Sequence, residues 1–152
     1  MITDQLLRLS SAQSLIIASG AEAESTNVID LSVARDVGQG HPLYVVVSFS
    51  STLAGAAGAL ITVQVETHTA ADFLTAKTVR VATRALPVAD IDGKAVAIPL
   101  PPNIGDAFVD HRYMAIRYVV SGANVTAGTA NADIVLDIQD GEKFYASGFT
   151  VA

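Results

Sequence analysis

The chain has 152 residues, of which 51% are hydrophobic and only 16% are charged, and its formal net charge is −6. A soluble domain usually carries about 25% charge, so part of this surface is expected to face protein rather than water. Cysteine is absent, which excludes disulfides, thiolate metal sites and a cysteine nucleophile; an acidic chain with few lysines also opposes nucleic acid.

One domain is expected at this length, large enough to bury roughly 70% of the surface its unfolded form exposes. No stretch reaches the roughly 20 consecutive apolar residues of a membrane helix, so no membrane partner is expected. The start, MITDQLLRLSSAQSLIIASGAEA, ends like a secretory signal. Asp4 makes it acidic, however, and Arg8, Gln13 and the serines interrupt the apolar run, so intracellular synthesis is expected.

Residues 1–26 show weak periodicity and then a small polar tract, ASGAEAEST, which reads as an extended N-terminal arm with a turn of helix at 4–9. Ile2, Leu6, Leu7, Leu9, Leu15, Ile16 and Ile17 are too apolar for a disordered tail. Burying one such side chain is worth about 1.5–3 kcal/mol, so the arm is expected to dock on a partner.

Residues 27–152 read as a single β-domain. NVIDLSV sets Ile29, Leu31 and Val33 on one side, and LYVVVSF (43–49) has the continuous apolarity of a central strand. LITVQVET places Ile61, Val63 and Val65 inward against Thr62, Gln64 and Glu66 outward. KTVRVATR sets Val79 and Val81 against Thr78, Arg80 and Arg84, and AVAIPL offers Val96, Ile98 and Leu100, with Pro99 marking an edge or strand end. Two alternating runs follow, with Met114, Ile116, Tyr118 and Val120 on one face and Ala132, Ile134, Leu136 and Ile138 on one face; they read as a hairpin around a soft loop, 121–131. KFYASGFTV closes the chain. Gly- and Pro-rich turns separate about eight short strands, predicting an all-β fold, an antiparallel jelly-roll-like sandwich.

No catalytic or metal-binding constellation emerges. His41, His68 and His111 share no metal-ligand spacing and read as surface residues near strand ends or in loops. DIDG (90–93) lacks the further acidic ligands of a calcium loop and reads as an Asp-Gly turn. Asp133 and Asp137 share a strand face and could form a glycosidase pair, but a solvent-facing position is favoured. Pairing Val120 with Ala132 would set Arg117 diagonal to both. NVT (124–126) is formally a glycosylation sequon and reads as loop. Lys77, Arg80 and Arg84, in a span free of acids from 73 to 89, form either a solvated face or a contact to an acidic protein.

QLLRLSSAQSL, STNVIDL, ARDVGQGHPLYVVV, LITVQVET and the terminal Phe-Thr region together resemble the capsid cement (decoration) proteins of tailed bacteriophages, a family first described from a Bordetella podophage. The resemblance covers most of the chain. It implies a jelly roll without cofactor or enzymatic activity on the outer virion surface, made in the host cytoplasm, with the major capsid protein as partner. A homo-oligomer is expected from the apolar runs and low charge, a dimer before a trimer. Candidate contacts are Leu6, Leu7, Leu9, Leu15, Ile16 and Ile17 of the arm, the cations Lys77, Arg80 and Arg84, and Gly55, Gly58 and Asn124 of the soft loops. Two alternatives stand beside this reading: a tail or receptor-binding virion protein, and a carbohydrate-binding jelly roll. Nine aromatics, several of them inward, count against the second.

Overall fold

The computed structural model describes residues 5–31, 43–72, 77–101 and 112–136. Twelve strands lie among them: β1 (Arg8–Ser14), β2 (Glu22–Glu24), β3 (Ile29–Asp30), β4 (Tyr44–Phe49), β5 (Ala54–Gly55), β6 (Leu60–His68), β7 (Thr78–Ala82), β8 (Leu86–Pro87), β9 (Ala95–Pro99), β10 (Tyr113–Ser121), β11 (Val125–Ala127) and β12 (Thr129–Val135). A 3-10 turn, Gln5–Leu7, precedes β1, and a one-turn helix, α1 (Val88–Ile91), precedes β9.

The described pairings are all antiparallel. Eight strands make two ladders, ordered β1-β12-β4-β9 and β2-β10-β6-β7; β3 and β8 extend the second, and β5 pairs with β11 as a separate ribbon. Numbered in chain order, those eight strands read 1-8-3-6 and 2-7-4-5, which is the jelly-roll arrangement of two interlocked Greek keys. The sandwich expected from the sequence is present.

Its first two strands come from the segment expected to be an arm. β1 has no clean alternation because it carries two register shifts against β12 and a positive φ of 45° at Ala12. Leu9, Ser10 and Gln13 are therefore buried while Ser11 and Ala12 are exposed. Asn131 accepts the Ala12 N–H through its side-chain oxygen, which holds the irregularity in place. Leu9, Leu15 and Ile17 sit in the core of their own domain rather than docking on a partner. Within NVIDLSV the described residues form the two-residue β3, while Ser32, Val33 and KFYASGFTV lie outside the described residues.

The expected hairpin is also corrected. β10 and β12 occupy opposite sheets, so their apolar faces meet across the core instead of lying side by side. Met114, Ile116, Tyr118, Val120, Ala132 and Ile134 are all buried as the alternation requires, while Leu136 is exposed and Ile138 lies outside the described residues. The loop between them is ordered by β11. Arg117 consequently pairs with Gln64 of β6 and Glu24 of β2 and is not set diagonal to Asp133 as the hairpin would have required.

Other expectations hold in detail. β4 is internal to its sheet with Val45, Val46 and Val47 all buried, and Pro99 ends the edge strand β9. Ile61, Val63 and Val65 point inward from β6. Val79 and Val81 do not share a face, because a bulge at Arg80 sets Val81 opposite Val65 but Val79 opposite Glu66. Val79 is exposed.

One end of the sandwich is closed by glycines. Gly122 has φ +76°, and a Cβ there would lie 2.2 Å from the Gly58 carbonyl oxygen; at Gly128, with φ +115°, a Cβ would lie 2.6 Å from Leu53 Cα. Only glycine meets both demands.

These placements separate core from surface within the supposed arm. Leu9→Ala is expected to lower the unfolding free energy by about 2–5 kcal/mol, whereas Leu6→Ala, at a 70% exposed side chain, should change it by less than about 0.5 kcal/mol. Urea unfolding followed by circular dichroism measures both, and equal effects would contradict the placement of β1.

Candidate functional site

Among the described residues, the largest concentration of charge lies on the outer face of the β2-β10-β6-β7 sheet. Strand alternation turns Ile116 and Tyr118 inward, so Arg117 between them points outward, beside outward-facing Glu22 and Glu24 of β2 and Glu66 of β6. The Arg117 guanidinium donates to Glu66 at 2.7 Å, Glu22 at 2.8 Å and Glu24 at 3.3 Å. Lys77 donates to the same Glu22 oxygen at 2.5 Å. Glu66, read from the sequence as solvent-facing, is only 1% exposed, and Arg117 is buried with it.

Three carboxylates share two cations here, and the pKa shifts follow the imbalance. The hydrogen bond from Lys77, opposed by partial burial and helped by the charge of Arg117, holds Glu22 below the ordinary carboxylate range. Burial pushes Glu24 above that range despite Arg117, with Glu66 adding repulsion. A second buried carboxylate, Asp133, is held by Arg8 across β1 and β12 at 2.9 Å. It does not face solvent as expected, and its sequence neighbour Asp137 lies outside the described residues.

The candidate contact residues separate into distinct places. Leu9, Leu15 and Ile17 are core, Leu7 packs partly against it, and Leu6 and Ile16 are exposed at 70% and 67%. Leu6 lies with exposed Leu136 at one end of the β1–β12 pair, and Ile16 lies at the other. Lys77, Arg80 and Arg84 do not gather into one patch: Lys77 joins the Arg117 cluster, Arg80 donates to Thr67, and Arg84 is exposed beyond β7.

Gly55, Gly58 and Asn124 do come together, but within the chain. A Cβ on Gly55 would lie 2.7 Å from that of Ala59, Ala56 N–H donates to the Asn124 carbonyl, and the Asn124 side chain accepts from Ser19 N–H. The small side chains of these candidate contacts serve the packing of β5, β11 and their loops. An open depression of about 400 Å³ beside them is lined by residues 53–60, Pro87, Val88, Ala89 and Asp92. Asp92 is the one titratable group in that lining.

His68 is buried, not at the surface, and Ala70 N–H lies 2.9 Å from its Nδ1; His41 and His111 lie outside the described residues. Among the described residues, no three His, Asp or Glu side chains are grouped to hold a metal ion. Asp90 and Ile91 end α1, and Asp92-Gly93 forms the expected turn, with Gly93 at φ +64°. Sequence reasoning missed the Arg117 cluster; its trace is the outward alternation of EAE at 22–24, which acquires meaning only once β2 is set beside β10.

Removing the central cation tests that cluster. Arg117→Met leaves Glu66 charged and buried, and should cost about 3–5 kcal/mol, much of it recovered by adding Glu66→Met. Glu22, with its lowered pKa, stabilises the fold above the ordinary carboxylate range and loses that contribution as pH falls through its folded-state value. Glu24 acts with the opposite sign, its penalty relieved as pH falls through its raised value. Glu22→Gln should therefore weaken the protein at pH 7, with the gap to wild type closing in acid; denaturation midpoints against pH provide the check.

No curated protein matches the chain. The Bbp16 family matches residues 9–134, a span running from β1 to β12 and thus across both sheets. The chain belongs to the Bbp16 family, whose name points to a Bordetella phage protein.

Proposed function

We propose that this protein is a non-enzymatic capsid cement protein that sits on the outer surface of a major-capsid-protein shell and bridges neighbouring subunits. The Bbp16 match across both sheets carries this reading, together with the resemblance of its sequence motifs to phage decoration proteins. The carboxylates support a structural role, because they hold strands together: Asp133 binds Arg8, Asp30 binds Arg112 through two hydrogen bonds, and Glu22, Glu24 and Glu66 bind Arg117. Exposed Leu6, Leu136 and Ile16 at the two ends of one sheet offer apolar anchors.

Such a protein works by mass action. Whatever binds the assembled lattice but not free subunits shifts the equilibrium toward assembly. A homo-oligomer, dimer before trimer, would place two or three copies of each anchor on the lattice. The protein would be made in the host cytoplasm and would need no cofactor, nucleic acid or membrane.

Quantitative mass spectrometry of purified particles tests the reading. The copy number should scale with that of the major capsid protein, and particles stripped of this protein should lose heat resistance and regain it when chelator-treated protein is added back. A handful of copies per particle would place it in the tail instead. A hydrolase activity abolished by changing Asp133 would overturn the non-enzymatic assignment.

A further inference from the structure

One contiguous piece of chain closes a whole long side of the sandwich. β1 is the end strand of its sheet, beside β12, and β2 is the end strand of the other, beside β10. The two are laced to each other: Asn27 N–H donates to the Leu9 carbonyl, Gln13 donates to the Glu24 carbonyl, and Thr26 N–H donates to the Gln13 side chain. Residues 5–31 thus form a strap across the edges of both sheets, seated in the single chain on its own body.

The seam under the strap is built like a contact between two chains. Among the described residues, every ion pair other than Arg117–Glu66 crosses it: Arg8 with Asp133, Glu22 with Lys77 and Arg117, Glu24 with Arg117, and Asp30 with Arg112. Neutral bonds cross it too, from the Tyr118 hydroxyl to Ser10, from Ile116 N–H to the Ser25 hydroxyl and from Ser19 N–H to Asn124. Leu9, Leu15, Ile17 and Ile29 of the strap are buried, so it does not stay unseated in water. None of these contacts requires strap and body to belong to one chain. Leu31 and Leu43 are 12 residues apart, a reach of roughly 40 Å when extended, against the roughly 10 Å between packed sheets.

We infer that on the shell residues 5–31 exchange between neighbouring copies, each strap completing both sheets of the next copy. The occupant is a second copy of this chain, because the charges and apolar positions that the seam matches are those of this segment. An exchanged strap keeps every bond across the seam, which makes exchange of an identical element a low-cost route to linked copies. In dilute protein the connection holds the strap near its own body at an effective concentration of about millimolar, and only crowded copies compete with that. The inference rests on the proposed capsid function, which supplies the crowding, and gives that function its bridge.

Cross-linking the strap to its seat provides the test, because the chain has no cysteine of its own. Ser14 and Thr129 are the last registered pair of β1 and β12, and residues directly opposed in an antiparallel pair lie at Cα separations that a disulfide spans. Ser14→Cys with Thr129→Cys, oxidised and run on a denaturing gel without reductant, should keep the mass of one chain in dilute free protein. In purified particles it should shift to masses of two or more chains. If that variant does not fold, carbodiimide coupling of Lys77 to Glu22 in the wild-type chain, hydrogen-bonded across the same seam, reads the same shift. A shift that Ser14→Cys alone reproduces is a surface contact and overturns exchange. Complete cross-linking at one-chain mass in particles also overturns exchange and leaves the cement reading intact. Particles that carry no shell copies of the protein overturn the cement reading and, with it, exchange on the shell.

Discussion

A single guanidinium fixes the register of three strands. Arg117 stands on β10, between β2 and β6, and its donors reach Glu22 and Glu24 on one side and Glu66 on the other. A slip of one residue in β2 would turn both its glutamates toward the core and Ala23 toward solvent. β2 has only three residues, too few for backbone pairing and apolar burial to specify its position strongly. The ion cluster supplies that specification. A buried ion pair is weak evidence for net stability, but setting register is its best-attested use.

The residue next to Arg117 does the corresponding work between sheets. Tyr118 points inward and is fully buried, and its hydroxyl donates to Ser10, which donates in turn to the Gln13 side chain. Gln13 then bonds the backbone at Glu24 and Thr26. Burial pushes the Tyr118 hydroxyl pKa well up, against the hydrogen bond to Ser10, so it stays a proton donor at any physiological pH. Two consecutive residues of β10 thus organise the outer face of one sheet and its tie to the other. The apolar anchors proposed for this protein lie elsewhere, at the two ends of the other sheet.

Where alternation was regular, the sequence was readable. β4, β6, β9 and β10 keep a period of two or an unbroken apolar run, and their inward residues are those the pattern names. β1 was illegible because the positive φ at Ala12 and two register shifts scramble its alternation, so buried Ser10 and Gln13 look like surface residues. Sequence proximity misled at β10 and β12: two alternating runs joined by one soft loop read as a hairpin, and nothing local says that the chain crosses between sheets. The charge cluster was hidden for the same reason. Glu22, Glu66 and Arg117 are far apart in sequence, and only pairing brings them together.

The topology also dictates an order of events. β1 lies beside β12, and the Arg8–Asp133 bond spans 125 residues of chain. Closing so long a loop must precede the contacts that reward it, which slows folding. During synthesis Leu9 of β1, with Leu15 and Ile17 just after it, leaves the ribosome before β12 exists to receive the strand, and these side chains stay uncovered until nearly the whole sandwich has been made. Residues Leu9 to Ile17 are therefore the stretch that the nascent chain must keep from aggregating longest, and the polar Ser10, Ser11, Gln13 and Ser14 between them break up what would otherwise be a continuous adhesive segment.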